Sequence, residues 1–195
     1  MIQNIWAIGR NYAEHAKELG NEVPSEPLVF LKAGSCATMN SDEINLPSWA
    51  QDVHHEIEIA LKFDDNLQID SACLALDLTE RTKQNQLKAK GQPWTLAKSF
   101  TDACPLSAFF AIEDLDELRH VDIQLKVNGQ IRQNGNTEQM IFPYEKLIDF
   151  VRQHFPVRPG DLLLTGTPSG VGPIQRGDVL EAELVGKITH KWVVK

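Results

Sequence analysis

The sequence predicts a protein of the α+β class that is predominantly β and has a few peripheral helices. Isoleucine or leucine occupies every second position of residues 57–61, and residues 179–192 alternate in a similar way, which is the period of a strand. Asn128-Gly129 interrupts a third β-prone segment, and this dipeptide favours a two-residue hairpin turn. Helical periodicity is restricted to short segments, so we expect strands to predominate.

The N-terminal half is expected to form strands joined by turns, with one short helix. In chain order, the predicted elements are a strand at Ile2–Ile8, a helix at Ala13–Leu19 closed by Gly20-Asn21, a turn at Pro24–Pro27, a buried strand at Leu28–Leu31, an irregular loop over residues 35–50, the strand at residues 56–61 and a hairpin-like turn at Asp64-Asp65-Asn66.

The C-terminal half is expected to add two helices and further strands. The predicted elements are a helix at Thr79–Lys90, a strand at Asp122–Val127, its hairpin partner at Gln130–Gln133, a polar loop at Asn134–Met140, a helix at Pro143–His154, a strand at Asp161–Leu164 and a final hairpin at Gly177–Val194. The loop Thr165–Gly172 is rich in glycine and threonine. It lacks the Gly-Lys-Ser/Thr ending of a nucleotide-binding loop, so we expect no nucleotide site there.

Composition restricts the class of protein. The 195 residues carry a formal net charge of −8, which argues against general nucleic-acid binding. The 3 cysteines are scattered, show no metal-ligand spacing and fit a reducing cytoplasm, so we expect neither a disulfide framework nor a zinc site. No signal peptide or membrane-spanning run is evident. We expect a cytoplasmic enzyme or binding protein with no membrane partner.

Two carboxylates lie on one face of the strand at residues 56–61. Glu56 and Glu58 are two positions apart, so their side chains share a face while Ile57 and Ile59 point to the other. Carboxylates placed side by side repel each other, and a bound cation would offset that repulsion. The alternative is a solvated face whose glutamates meet lysines on a neighbouring strand. His54 and His55 precede this pair in the chain.

His15 and Glu18 form a candidate acid–base pair on the first predicted helix. Their i, i+3 spacing places both side chains on one helix face, within hydrogen-bonding range. Glutamate can orient a histidine that transfers protons, and perturbed pairs of this kind cluster at active sites. The alternative is a chance pair on a surface helix.

Asp77 and Lys98 each interrupt an apolar segment. Burial of an unpaired charge is costly, so a buried Asp77 needs a cationic partner or a metal. Alternatively, Asp77 or Thr79 caps the helix that begins near Glu80. Lys98 is either a snorkelling side chain or a buried cation aimed at an anionic ligand. The lysines of the helix at residues 79–90 are expected to form a solvated face.

Together, Glu56, Glu58 and Asp77 form a candidate site of hard oxygen ligands. Such a site suits Mg²⁺, with Mn²⁺ as an alternative and Ca²⁺ as a possible non-native occupant, rather than zinc. Arg81, Gln84, Lys98 and Thr167 are groups that a site for an anionic oxo acid would use. His15 and Glu18 would then supply a general base and the group that orients it.

A set of motifs, in this order along nearly the whole chain, closely resembles the fumarylacetoacetate hydrolase family, in particular its short acylpyruvase-like members. The motifs are Gly9-Arg10-Asn11-Tyr12, His15-x-x-Glu18, Leu31-Lys32, His54-His55-Glu56-x-Glu58, Leu76-Asp77-Leu78-Thr79-x-Arg81, Lys90-Gly91-x-Pro93-Trp94-x-x-x-Lys98, Leu125-x-Val127-Asn128-Gly129 and Leu164-Thr165-Gly166-Thr167-Pro168-x-Gly170-Val171-Gly172. The resemblance implies one catalytic domain over residues 1–195 with a mixed β-sandwich roll, in which residues 1–50 carry a lid helix.

The resemblance also assigns roles. It implies that Glu56, Glu58 and Asp77 bind the metal, that His15, Glu18 and Lys98 are catalytic, and that Arg81, Gln84, Thr167 and Arg10 bind a small 2-oxo acid in a homodimeric enzyme. The implied reaction is Mg²⁺-dependent hydrolysis of the C–C bond of 2,4-dioxo acids such as acetylpyruvate or fumarylpyruvate.

Other functions use almost the same residues. They are decarboxylation or tautomerisation of oxaloacetate and isomerisation of a hydroxydiene-dioate from aromatic catabolism. A non-catalytic oxo-acid sensor is a remote alternative. One departure from the family is the short connection across residues 59–76, where members commonly have a longer segment with a helix.

Overall fold

The computed structural model describes residues 2–18, 20 and 22–195. The strands are β1 (Asn4–Gly9), β2 (Leu28–Ala33), β3 (Ala37–Thr38), β4 (Glu43–Ile44), β5 (Val53–His55), β6 (Ile57–Phe63), β7 (Ile69–Leu76), β8 (Thr79–Glu80), β9 (Cys104–Pro105), β10 (Phe110–Ala111), β11 (Asp122–Val127), β12 (Gln130–Asn136), β13 (Leu162–Leu164), β14 (Gly172–Pro173), β15 (Val179–Leu184) and β16 (Ile188–Val194). The α-helices are α1 (Ala13–Glu18), α2 (Arg81–Ala89), α3 (Thr95–Lys98) and α4 (Tyr144–His154), with 3₁₀ turns at Gly34–Cys36, Leu115–Leu118 and Thr137–Gln139. The predicted α+β class, with strands predominant, is confirmed.

A mixed sheet of the described residues carries Glu58 and has Arg10, Glu56 and Asp77 at the ends of its strands. Its strand order is β10-β7-β6-β13-β1-β2, in which β1 and β13 are parallel and the other neighbours are antiparallel. β6 is buried on both faces, with only Lys62 partly exposed. The sheet therefore holds the polar residue Glu58 inside the protein.

A second sheet packs against the first. Its order is β12-β11-β15-β16-β4, and inward-facing residues of both sheets belong to one apolar core, among them Ile59, Leu74, Leu125, Leu180 and Trp192. The predicted Asn-Gly turn joins β11 to β12, and Asn128 and Gly129 both have positive φ angles, 52° and 76°, as the primed hairpin turns require. The final hairpin is confirmed as β15 and β16.

The helices lie at the edges of these layers. α4 buries its apolar stripe, Leu147, Ile148 and Val151, against the core. The first helix is confirmed over Ala13–Glu18, whereas its predicted last residue, Leu19, and the turn residue Asn21 lie outside the described residues. Within the described part of the chain, the helices are too short or too polar to cross a bilayer.

Some expectations about elements are wrong, and the alternative role of Asp77 or Thr79 as a helix cap is excluded. Residues 28–31 belong to an edge strand rather than a buried one, and Leu31 is 46% exposed. The predicted loop at residues 134–140 begins with strand, because β12 continues to Asn136 opposite Asp122. The N-cap of α2 is Glu80, whose carboxylate accepts the Lys83 N–H, so Asp77 and Thr79 do not cap that helix.

The short connection across residues 59–76 is a plain hairpin. β6 pairs directly with β7 from Ile57 opposite Leu76 to Phe63 opposite Ile69, and the turn uses Asp64 to accept the N–H groups of Asn66 and Gln68. This pairing brings the end of β7 beside the start of β6. The two ends that carry the acidic residues therefore meet at one edge of the hairpin.

Candidate metal centre and active site

Three buried carboxylates converge at the open end of the β6–β7 hairpin. Glu56 lies in the break between β5 and β6, Glu58 lies in β6, and Asp77 directly follows β7. The Asp77 N–H donates to the Glu56 carbonyl at 2.8 Å, which fixes the two chain segments side by side. One oxygen from each carboxylate lies within 4.8 Å of the others. The sequence-predicted triad is therefore brought together.

Cations surround two of the three acids. Lys98 Nζ donates to Glu56 Oε2 at 2.9 Å and to Asp77 Oδ2 at 2.5 Å, and Arg81 also pairs with Glu56. Burial tends to raise the pKa of Glu56, but the charges of Lys98 and Arg81 hold that pKa well below its usual range. Lys98 is thus a buried ion-paired cation and not a snorkelling one.

Glu58 has the opposite electrostatic environment. Burial and the neighbouring charges of Asp77 and Glu56 raise its pKa well above the usual value, and the Gly166 N–H donates to Glu58 Oε2 at 2.6 Å. A carboxylate in this position gains free energy from a nearby cation. The three carboxylates offer converging hard oxygen donors, and the negative charge at Glu58 is not fully compensated. Both features fit a divalent ion such as Mg²⁺ or Mn²⁺.

One small pocket opens above the triad. Its lining contains Arg10, His15, Glu56, Glu58, Asp77, Arg81, Gln84, Lys98 and Thr167, which is every predicted site residue except Glu18. Ile8, Gly9, Leu28, Phe30, Lys88 and Trp94 complete the wall. The predicted metal, catalytic and substrate residues therefore face a common space.

Helix α1, which the family resemblance predicts to be a lid, borders one side of this pocket through His15. His15 is 5% exposed, and its Nδ1 lies 3.3 Å from Glu18 Oε2. Because an ionised carboxylate can only accept, Nδ1 carries the proton of this hydrogen bond and Nε2 is the nitrogen left for other chemistry. Both carboxylate oxygens of Glu18 also accept the Gly170 N–H at 3.1 Å. Glu18 therefore orients His15 and ties the lid to the glycine-rich loop.

Arg81 and Gln84 pair with each other on α2. Arg81 Nη1 donates to Gln84 Oε1 at 2.7 Å, and both side chains are buried. Arg81 is held between this amide and Glu56, so its guanidinium is fixed at the pocket wall. A planar guanidinium in a fixed orientation is suited to a carboxylate ligand.

Thr167 has a structural hydrogen bond that the sequence does not reveal. Its hydroxyl donates to the Ile57 carbonyl at 2.7 Å and accepts from Gln133 Nε2 at 2.7 Å. The amide oxygen of Gln133 accepts from the Ile57 N–H at 3.0 Å and lies 2.8 Å from His55 Nδ1, which must therefore be the donor. The hydroxyl proton of Thr167 is thus committed to the main chain. His55 is linked through Gln133 to Thr167 and to the start of β6, and it is not part of the pocket lining.

Two lysines have positions that sequence reasoning missed. Lys88 was assigned to a solvated helix face, yet it lines the pocket. Its spacing from Arg81 and Gln84 is i+7 and i+4, so the helical period places all three on one face and could have revealed it. Lys32 is fully buried, and its Nζ donates to Asp77 Oδ1 at 2.7 Å. The motif Leu31-Lys32 contained this residue, but nothing in its spacing indicates the partner.

Known proteins with similar sequences belong to the family that the motifs resemble. The family model described as fumarylacetoacetate (FAA) hydrolase C-terminal matches residues 4–193. A mitochondrial oxaloacetate decarboxylase of Dictyostelium discoideum is 43% identical over 94% of this chain and 89% of its own length. The oxaloacetate tautomerase YcgM of Escherichia coli is 38% identical over 95% of this chain and 90% of its own length.

Solved structures of this family have the same fold as this chain. A fumarylacetoacetate isomerase/hydrolase from Oleispira antarctica has a TM-score of 0.93 at 41% identity and covers 100% of this chain and 94% of its own. Fumarylpyruvate hydrolase from Pseudomonas aeruginosa, in complex with Mn²⁺ and pyruvate, has a TM-score of 0.92 at 28% identity, with 99% and 89% covered. The chain belongs to the fumarylacetoacetate hydrolase family.

Proposed function

We propose that this enzyme is a divalent-metal-dependent oxaloacetate tautomerase, which interconverts the enol and keto forms of oxaloacetate. The observation that carries the proposal is the pocket itself, where a buried carboxylate triad, a histidine and several cations meet. The relatives named oxaloacetate tautomerase or decarboxylase favour this reaction over acylpyruvate hydrolysis, because the fumarylpyruvate hydrolase is a more distant match.

Glu56, Glu58 and Asp77 would hold the ion in this proposal. Three protein oxygens leave room for substrate and water around an ion that prefers six ligands. When bound, the ion would supply Lewis-acid stabilisation of negative charge on the 2-oxo oxygen of the substrate. Mn²⁺ and pyruvate are named in the Pseudomonas aeruginosa complex, and they support a site of this type here.

His15 is the proposed proton carrier. Tautomerisation moves one proton from the enol oxygen and places one on carbon 3, so one group that both releases and takes up a proton can serve both directions. Nε2 of His15 is available for this transfer because Nδ1 is engaged by Glu18. Lys98 and Arg81 supply positive charge beside the developing oxyanion.

Decarboxylation is a second candidate reaction, and the name of the Dictyostelium discoideum relative favours it. The C3–C4 bond of the keto form would break with release of CO₂, and its electron pair would form the enolate of pyruvate. A proton then adds to carbon 3. The same cations would stabilise the enolate, so the residues alone do not separate the two reactions.

Parallel measurement of two products separates these functions. Oxaloacetate enol is followed by its absorbance and pyruvate by a coupled assay, with Mg²⁺, Mn²⁺ or EDTA, and acetylpyruvate and fumarylpyruvate are tested in the same way. We expect metal-dependent loss of enol that is much faster than pyruvate release. Equal rates of enol loss and pyruvate release would identify a decarboxylase instead.

A matched pair of variants tests the role of His15. His15→Gln should slow tautomerisation by at least roughly 100-fold, the usual contribution of a positioned acid–base group. Lys17→Gln changes an exposed residue of the same helix and should retain the wild-type rate. Metal-dependent pyruvate release from acylpyruvates with no effect on oxaloacetate would overturn the proposal.

The homodimer and the cytoplasmic location stay predictions.

A further inference from the structure

Lys88 is a cation in the wall of the pocket. It shares one face of α2 with Arg81 and Gln84 and lines the same pocket. Its ammonium lies 5.2 Å from the centroid of the Trp94 ring, which also borders the pocket. The aliphatic stem is half-buried, so the charge is held at the wall and does not extend freely into solvent.

Lys88 has no ion-pair partner among the described residues. Within the described part of the chain, the ion pairs of the pocket involve Lys98, Arg81 and Lys32, and none involves Lys88 or Arg10. Burial lowers the pKa of Lys88, and the positive charges of Arg81, Arg10 and Lys98 lower it further. A cation in these surroundings is stabilised when an anion binds beside it.

Arg10 is the second unpaired cation, and its backbone is unusual. It directly follows β1, lines the pocket and has a φ of 61°, in the left-handed region that residues other than glycine seldom adopt. Such conformations cost free energy and cluster at ligand-binding positions. The conformation places Arg10 at the pocket, on the side of β1.

Lys32 is excluded as a substrate ligand. It is fully buried, and its ammonium is occupied by Asp77 Oδ1 and by the Leu78 carbonyl. It is not part of the pocket wall. A cation for a second acidic group must therefore come from the residues that line the pocket.

Charge balance favours a substrate with two carboxylates. The three acids have three paired cations, Lys32, Lys98 and Arg81, and the pocket wall adds Lys88 and Arg10. Positive charge therefore exceeds negative charge by two, and a divalent ion would add two more positive charges. A monoanion such as acetylpyruvate leaves most of this excess, whereas a dianion neutralises more of it. The excess lies on the side of Lys88 and Arg10, because the other cations already have carboxylate partners.

We propose that Lys88 and Arg10 bind the second carboxylate of a dicarboxylic 2-oxo acid and so select it over a monocarboxylic one. This inference rests on the proposed function, since it assigns the group that distinguishes oxaloacetate from simpler 2-oxo acids. Arg81, Gln84 and Lys98 serve the other end of the substrate.

A matched pair of ligands isolates this contact. Oxaloacetate and 2-oxobutanoate differ by a carboxylate in place of a methyl group at carbon 4. Their dissociation constants are measured with saturating Mg²⁺ by stopped-flow tryptophan fluorescence, before turnover, since Trp94 borders the pocket. We expect wild-type protein to bind oxaloacetate at least tenfold more tightly than 2-oxobutanoate, as a charge-assisted contact would provide.

Variants then assign the preference to residues. Lys88→Gln and Arg10→Gln should each reduce the preference by about tenfold and leave the affinity for 2-oxobutanoate within twofold. Lys88→Arg should keep most of it. Lys90→Gln removes the same charge from an exposed position at the end of α2 and should match the wild type.

Two results would overturn the inference. One is an unchanged preference in Lys88→Gln, and the other is an equal loss of affinity for both ligands, which indicates a structural role. Failure of the proposed function would look different, because wild-type protein would then show no turnover of oxaloacetate while the binding preference could still be measured.

Discussion

Buried charges in this site stabilise one another through shared partners. Asp77 accepts Lys32 on one oxygen and Lys98 on the other, at 2.7 and 2.5 Å. Burial tends to lower the pKa of Lys32, but the charge of Asp77 raises that pKa above its usual value. The aspartate is thus held by Lys32 on the side away from the pocket, while Lys98 lies in the pocket wall.

Removal of Lys32 should therefore destabilise the fold. Lys32→Met leaves the Asp77 carboxylate buried with one cation fewer, so we expect the free energy of unfolding to fall by about 3 kcal/mol in urea denaturation at pH 7. Lys17→Met breaks an exposed pair with Glu14 and should change it by less than about 0.5 kcal/mol. Equal stability of the two variants would show that Asp77 does not depend on Lys32.

The cysteines provide a second prediction for single residues. Cys36, Cys73 and Cys104 are free and buried. Burial raises the pKa of each thiol more than any other influence. Thiolates react with iodoacetamide and thiols do not. We expect no labelling of native protein at pH 7.5 within an hour and labelling of all three in urea, as counted by mass spectrometry. Rapid labelling of one native cysteine would show that its segment opens locally.

Residue types and spacing predict most of the residues of the site, but they do not reveal which further residues contact them. Glu56, Glu58 and Asp77 could be found because motifs in a known order identified them. Lys88 was missed because a lysine on a helix is usually solvated, although its spacing from Arg81 fits the pocket face. The partner of Lys32 is set by long-range packing between β2 and the end of β7, and no local pattern records such a contact.

At the scale of elements, alternation predicted strands well where one face is polar. It ended β12 too early, because Asn134, Gly135 and Asn136 continue a strand that the pairing with β11 imposes. It also failed for β2, whose apolar run suggested burial although the strand lies at a sheet edge. Sheet order depends on the whole topology, so a short apolar run cannot distinguish an edge strand from a central one.

The contact between the lid helix and the glycine-rich loop can be tested at Gly170. Its φ is 96°, its N–H donates to Glu18, and a Cβ there would lie 1.9 Å from the Arg132 carbonyl oxygen. Gly170→Ala should therefore shift the loop and weaken the contact with α1. We expect it to lower both the free energy of unfolding and the rate of tautomerisation.

A matched glycine separates the steric clash from backbone strain. Gly177 has a φ of 91°, and a Cβ there meets nothing within 4 Å. Gly177→Ala should cost about 1 kcal/mol from its backbone conformation alone, whereas Gly170→Ala should cost at least about 2 kcal/mol more in the same urea titration. Similar losses in the two variants would mean that the loop at Gly170 relaxes freely.

For the whole molecule, the two sheets share one core and the site lies at the end of its central hairpin. The apolar layers hold β6 and β7 in register, and that register decides where Glu56, Glu58 and Asp77 meet. Glu56 and Asp77 have cationic partners, but Glu58 is in no ion pair of the described residues, so folding buries it against the repulsion of the other two acids. Binding of a divalent ion should relieve this repulsion, so metal binding and global stability are linked.

Thermal unfolding measures that linkage. A ligand that binds only the folded state stabilises it by about 2.7 kcal/mol at 100 times its dissociation constant, which corresponds to a rise in Tm of roughly 5–10 °C for a chain of this size. Mn²⁺ or Mg²⁺ at such a concentration should therefore raise Tm, and EDTA should reverse the rise.

Glu58→Gln removes one ligand and part of the repulsion. That variant should unfold at or above the wild-type Tm without metal and should lose most of the shift, whereas an undiminished shift would place the ion elsewhere.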